Sequence, residues 1–184
     1  MRHRPVSANL PCSPVVLVKS SEQSNARAMS TVSHQQEISI LTNAKLGLIY
    51  LTPNDWALIA DKAVRRKFKA GEKIVEQGKR THGIFVLLGG TASVQIPPPR
   101  EIGPGEACGE ISFVDELPAT ADVVAKEPVD SYFLDHSTLQ STFELFPHLG
   151  SRFYHSLAAI LSRRLRTVIT AAAVAMAKPT ATKS

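Results

Sequence analysis

The residues best placed for chemistry lie in the run GEACGEISFVDELPATADVVA, from Gly105 to Ala125. A glycine-punctuated loop there leads into a short helix predicted over Ile111 to Val114. The free backbone N–H groups at a helix start form a natural anion site. The neighbouring side chains have the wrong sign for an anion. From Gly103 through Ala125 stand five carboxylates, Glu106, Glu110, Asp115, Glu116 and Asp122, and no Lys or Arg.

Other chemistries lack their residues. Cys12 and Cys108 form neither a disulfide framework nor a Cys-x-x-Cys metal motif, and both are expected as reduced thiols. No basic residue adjoins Cys108 in sequence to lower its pKa, so a small buried side chain is its expected role. His82, His136, His148 and His155 do not show the close spacing of a barrel metal site, which leaves the cupin-type metalloenzyme a less favoured alternative. There is no Gly-x-Ser-x-Gly elbow, and Gly89-Gly90 belongs to no phosphate-cradling motif. No catalytic residue, metal or obligatory cofactor is expected, and the chain is not expected to be an enzyme.

The elements that would position the run follow from periodicity. Thr52 as N-cap with Pro53 at the first helical position predicts a helix carrying Trp56, Leu58 and Ile59. After Lys67 the pattern turns to short strands punctuated by glycine: EKIVEQG, IFVLLGG, TASVQIPPP, REIGPG, TADVVA and VDSYFLD. Short strands with turn signals at close intervals and no long helix between them predict an all-β barrel or sandwich. Ile84, Val86 and Leu88 alternate with Phe85 and Leu87, and a Gly89-Gly90 turn precedes Ala92, Val94 and Ile96. Pro97-Pro98-Pro99 cannot donate ladder hydrogen bonds and is read as an exposed connection. Beyond Asp135 the helical period returns. After a break at Phe146-Pro147, Leu149, Phe153, Leu157, Ile160, Leu161, Leu165, Val168, Ile169 and Ala172 form an apolar stripe, with Arg163, Arg164 and Arg166 mostly off it.

The order of these pieces resembles the cyclic-nucleotide-binding domain shared by catabolite-activator-type regulators, protein kinase A regulatory subunits and gated channels. The resemblance covers roughly residues 50 to 166 and rests on glycines at matching intervals, Gly71, Gly78, Gly83, Gly90 and Gly109. It implies a mainly β fold, a double-stranded β-helix (jelly-roll, cupin-like) barrel with flanking N-terminal and C-terminal α-helices. It also implies that Gly109-Glu110 opens a phosphate-binding cassette, that the amides of Ile111 and Ser112 face a cyclic phosphate, and that Glu110 accepts the ribose 2′-hydroxyl. Capping of the cassette by Glu110 through backbone N–H groups is the alternative role. Where the family places an arginine in Pro-Arg-x-Ala, this chain reads Pro118-Ala119-Thr120-Ala121, and a one-residue shift offers only Thr120. The implied ligand, cAMP or cGMP, is therefore expected to bind weakly or not at all. The chain reads as a regulatory or sensor module. A ligand-free interaction or dimerisation scaffold is the alternative.

Length and charge bound the partners. A chain of 184 residues, 43% apolar, suffices for one substantial core. The net charge of +5 is carried by the ends: residues 1–40 hold four Lys/Arg against two Asp/Glu, residues 151–184 hold six against none, and the body is net acidic. The cluster Arg163-Arg164-Leu165-Arg166 precedes only 18 residues, too few for a helix-turn-helix, so DNA is not an expected partner and a Crp/Fnr-type transcription regulator is a less favoured alternative. No apolar stretch reaches the length of a membrane span. The C-terminal stripe fits a homodimer seam or an intramolecular lid. We expect a tail through residue 40, a domain over 41–177 with its barrel at about 64–135 and helices at about 137–177, and a polar tail over 178–184. Residues 1–28 have the Arg/Ser-rich, acid-poor composition of a transit peptide, equally that of a disordered tail or of sequence upstream of a true start at Met29. The expected location is cytoplasmic, or organellar if that segment targets.

Overall fold

The computed structural model describes residues 34–177. The transit-peptide reading, Met29 and Cys12 lie outside them. Helix α1 spans 34–43, so residues 34–40, expected to belong to the tail, are helical. Its docking residues are Leu41, 1% exposed, and Glu37, which receives the Tyr132 hydroxyl and an Arg65 guanidinium N–H at 2.7 Å. Helix α2, Pro53–Lys62, begins as its sequence dictates. The Thr52 hydroxyl accepts from the Asp55 amide while the Asp55 carboxylate accepts from the Thr52 amide, a reciprocal capping box.

Eight short strands follow, β1 Val64–Phe68, β2 Lys73–Val75, β3 Gly83–Gly89, β4 Ala92–Val94, β5 Arg100–Ile102, β6 Ala107–Cys108, β7 Val123–Ala125 and β8 Val129–Asp135. They form two antiparallel four-stranded sheets, ordered β1-β8-β3-β6 and β2-β7-β4-β5. Apart from the β4–β5 hairpin, sequence neighbours lie in different sheets, the jelly-roll arrangement that the strand pattern and the resemblance imply. Helix α3, Glu110–Asp115, sits between β6 and β7, while α4, His136–Leu145, and α5, Pro147–Ala177, follow β8.

The alternation along β3 divides the core in two. Ile84, Val86 and Leu88 face one way and pack with Trp56, Leu139, Phe153 and Leu157, so helices cover the outer side of the first sheet. Leu87, with half-buried Phe85, faces the other way, into the space between the sheets, alongside Ile74, Ile102, Cys108, Ala119 and Val123. Successive strand residues point to opposite faces, so one strand serves both cores.

Helix α5 is pinned to α2 by a two-bond ion pair, Arg152 Nε to Asp55 Oδ2 at 2.7 Å and Nη2 to Oδ1 at 2.6 Å. Burial acts to raise the Asp55 carboxyl, but the hydrogen bonds from Arg152 and Thr52 outweigh it and hold its pKa below the ordinary value. A depressed folded-state pKa gives stability that is present above the unfolded carboxylate range and lost as pH falls through the folded value. Thr52→Ala should cost about 1 kcal/mol of unfolding free energy at neutral pH. Asp55→Asn should cost about 1–3 kcal/mol, and its deficit should shrink as the wild type is acidified below the carboxylate range. Urea titrations of the three proteins at neutral and acid pH measure both effects.

Candidate functional site

Cassette geometry begins at a backbone constraint. Gly109 is the N-cap of α3 with φ +83, a left-handed conformation that favours glycine, and no side chain caps the helix there. Its carbonyl accepts the first helical bond, from the Phe113 amide at 3.0 Å, so the amides of residues 110–112 precede the hydrogen-bonded turn. Gly105, also at positive φ, lies where a Cβ would fall 2.2 Å from the Ala44 Cβ, so the loop before β6 packs tightly against the segment after α1.

The six residues singled out from sequence divide by orientation. Glu110 is 2% exposed and Ser112 5%, whereas the Ile111 side chain is 40% exposed. Ala119 is buried, and its Cβ joins the apolar cluster between the sheets. Its backbone pairs with the 78–79 segment, Gly78 N–H to Ala119 O at 2.8 Å and Ala119 N–H to Lys79 O at 2.9 Å. Thr120 is exposed and points away. Of the two positions, the one facing the barrel interior is 119, and it carries alanine.

Glu110 accepts no backbone N–H among the described residues, so the capping role read for it from sequence is not the one its carboxylate takes here. Its carboxylate is held by the Arg164 guanidinium of α5 in an ion pair, and Arg164 Nη2 also donates to the Ala107 carbonyl at 2.9 Å. The expectation that Arg164 lies off the packed stripe is thus corrected. Phe153, Leu157, Ile160 and Arg164 follow at steps of four, three and four, so Arg164 occupies the next position on the buried face. Burial pushes its guanidinium pKa down to about 10, with the nearby positive charge of Arg100 adding to the effect. At neutral pH it remains a cation.

Arg100 is the second cation that sequence reading missed. It projects from β5 with Nη2 3.7 Å from Glu106 Oε1, and that nitrogen is buried without a hydrogen-bond partner, as is Nε of Arg164. Both arginines lie near Cys108 in space, although none does in sequence. Their pull is not enough: burial dominates and pushes the thiol up to about 12, so Cys108 stays protonated. Its inert role stands, for a different reason from the one the sequence offered.

The two sheets form a jelly roll whose β6–β7 connection is a loop and a short helix with a buried acidic residue at its start. The family model of the cyclic nucleotide-binding domain matches residues 65–145, from β1 to the end of α4. Among curated relatives, Glutaminase 2 of Bradyrhizobium diazoefficiens is 30% identical over 121 residues, 64% of this chain but 19% of that enzyme. The cyclic AMP receptor protein of Thermus thermophilus is 28% identical over 123 residues, 63% of this chain and 55% of the receptor. The chain therefore spans about a fifth of the one and about half of the other. In structure, a cyclic nucleotide-binding domain from Methylobacillus flagellatus superposes with TM-score 0.63 at 20% identity, over 75% of this chain and 81% of that one. A regulatory subunit of a cAMP-independent protein kinase A from Trypanosoma brucei has TM-score 0.53 at 23% identity, over 78% of this chain and 52% of that one. That protein is a triple mutant, one substitution replacing threonine by arginine, bound to cAMP in its A site. No helix among the described residues is long and apolar enough to cross a membrane.

The Arg164–Glu110 pair should behave as a buried ion pair. Arg164→Met leaves a buried carboxylate uncompensated and should cost about 3–5 kcal/mol. The double variant Glu110→Gln with Arg164→Met should be more stable than Arg164→Met alone. A double-mutant cycle in chemical denaturation reads the coupling directly, and additive single costs would mean the pair is not formed in solution.

Proposed function

We propose that the chain is a cyclic-nucleotide-binding-domain regulatory or sensor module whose cassette binds cAMP and cGMP weakly or not at all. The observation that carries this is the inward-facing Ala119, buried among apolar side chains where the family presents its phosphate-pairing arginine. Gly109, Glu110, Ile111, Ser112, Ala119 and Thr120 are the residues assigned to the cassette, with Thr120 on its outer side. Removing one partner of a buried charge pair costs about 2–5 kcal/mol, and each 1.4 kcal/mol is about a factor of ten. A helix start returns at most about 2 kcal/mol. Affinity should stand about 30- to several-thousand-fold below that of an intact cassette. The engagement of Glu110 by Arg164 works in the same direction, because a ribose hydroxyl must share or displace that guanidinium.

Isothermal titration with cAMP and cGMP tests the reading, and low-micromolar binding by either would overturn it. Ala119→Arg, if it melts cooperatively near the wild-type temperature, should raise cAMP affinity by at least about tenfold.

A second reading, a dimerisation scaffold, is favoured by the far end of α5. Leu165, Val168 and Ile169 are 60%, 60% and 58% exposed, and Leu161, Leu165, Val168 and Ala172 follow at alternating steps of four and three. That spacing is the seam of a two-helix coiled coil. A single domain, its start moved back from residue 41 to take in α1, and a cytoplasmic location remain part of the same proposal. Light scattering should give twice the chain mass at micromolar concentration, and Leu165→Glu with Val168→Glu should return it to one chain without loss of the folded signal. A monomeric wild type would remove the scaffold reading while leaving the cassette reading untouched.

A further inference from the structure

Behind α3, away from the space between the sheets, lies an open cleft of about 330 Å³. Its walls come from three places: Arg80 and His82 before β3, Ser112 and Phe113 of α3, and His136 at the start of α4. The backbone sets the two histidines side by side. Gly83 pairs with Asp135 at the end of the β3–β8 ladder, and the His136 amide donates to the His82 carbonyl at 3.0 Å, which continues the ladder by one residue. Directly opposed residues in an antiparallel pair project to the same face. The His136 ring is steadied by Phe113, with centroids 4.9 Å apart.

The polar side chains of these walls are short of partners. Ser112 is 5% exposed, and its hydroxyl makes no hydrogen bond among the described residues. The side chains of Arg80, Thr81 and His82 likewise have neither hydrogen bond nor ion pair there. Ser112 Oγ is not one of the buried polar atoms left without a partner, so it opens onto the cleft, as do the exposed side chains of Arg80 and His82. The acidic residues at the cleft do not supply the missing bonds. Asp135 is committed to α4, accepting from the Ser137 hydroxyl at 2.6 Å and the Thr138 amide at 3.0 Å, and these bonds hold its carboxyl below the ordinary range. Glu116 is exposed on the rim.

We infer that this cleft is a second ligand site that takes a small oxyanion, the carboxylate or phosphate group of a metabolite, held by Arg80, His82, Ser112 and His136. Guanidinium, imidazole and hydroxyl are the donors that oxyanions use, and a guanidinium gives the strong charge-assisted bond. The volume lies at the low end of ligand pockets and admits a compact molecule. The occupant would bear on Ser112, two residues beyond Glu110 on the same short helix, so the site is a separate input to the element that Arg164 grips. It stands independently of whether the barrel binds a cyclic nucleotide.

The test is an amide NMR titration of the full chain with inorganic phosphate and, separately, with acetate. At least one probe should shift the amides of Thr81, His82, Ser112 and Ser137 saturably in the millimolar range, leaving Ala119 and Val123 unmoved. The probe that acts identifies phosphate or carboxylate as the group. Arg80→Gln, at an exposed position that leaves the fold intact, should weaken the response about tenfold, and Ser112→Ala should weaken it less. No saturable shift with either probe, an unaltered response in Arg80→Gln, or shifts centred on Ala119 and Val123 would each overturn the assignment.

Discussion

Glu110 is a carboxylate almost wholly removed from water, and its pairing with Arg164 is the contact on which the placement of α5 depends. An isolated buried carboxylate would be too costly to ionise, and nothing on its own short helix has the charge to offset it. The compensating cation comes from 54 residues later in the chain, on α5. Arg164 must reach the cassette with its stem packed along the buried face, which fixes the rotation and height of α5. The second donor bond, to the Ala107 carbonyl, fixes its position against β6 as well. A single interaction thus ties together the last strand before the cassette, the cassette helix and the C-terminal helix.

The same interaction creates a local problem of like charge. Arg100 lies close enough to depress the Arg164 pKa, and each has one buried nitrogen with no acceptor. Glu106 and Glu110 balance the two cations in sum, but the Arg100–Glu106 separation of 3.7 Å is longer than a good charged hydrogen bond. The space between the sheets is therefore apolar at Ala119 and crowded with arginine at its β5 edge. A cation in the cassette proper is the family's solution. Here cations approach from the flanks and are already engaged by glutamates.

Much of this was legible in the sequence, and the failures have a common cause. Alternation of Ile84, Val86 and Leu88 against Phe85 and Leu87 encodes the two cores, because strand side chains obey a period of two whatever their partners. Thr52, Pro53 and Asp55 announce α2 because capping is local. Gly109 and Glu110 mark the cassette because a left-handed turn needs glycine. Arg100 and the pairing of Arg164 with Glu110 were not legible, since these contacts form across 54 residues and between elements distant in sequence. A signal did exist. Arg164 is the next i+4 step after Ile160 on the buried stripe, but a broad apolar stripe that continues through Leu161 and Leu165 hides the narrower one that turns inward. Helix α1 went unread in part because Glu37, its main polar anchor, looks like an ordinary tail residue until Tyr132 and Arg65 converge on it.

The two stripes on α5 have a mechanical consequence. The helix is fastened to the body at Arg152 by Asp55, at Ser156 by the Tyr50 amide, and finally at Arg164 by Glu110. From Leu165 to Ala177 the described apolar side chains are exposed, and at 1.5 Å per residue this segment extends about 20 Å past the last fastening. Arg164 and Leu165 are one residue apart and about 100° apart around the helix, so the residue that grips the cassette and the residue that begins the exposed seam cannot rotate independently. Any ligand that competes for Glu110 must loosen the outermost of three fastenings while the inner two hold. The response expected of such a geometry is a pivot of the segment beyond Ile160, which with Leu157 stays packed in the core, with the α2–α5 contact preserved.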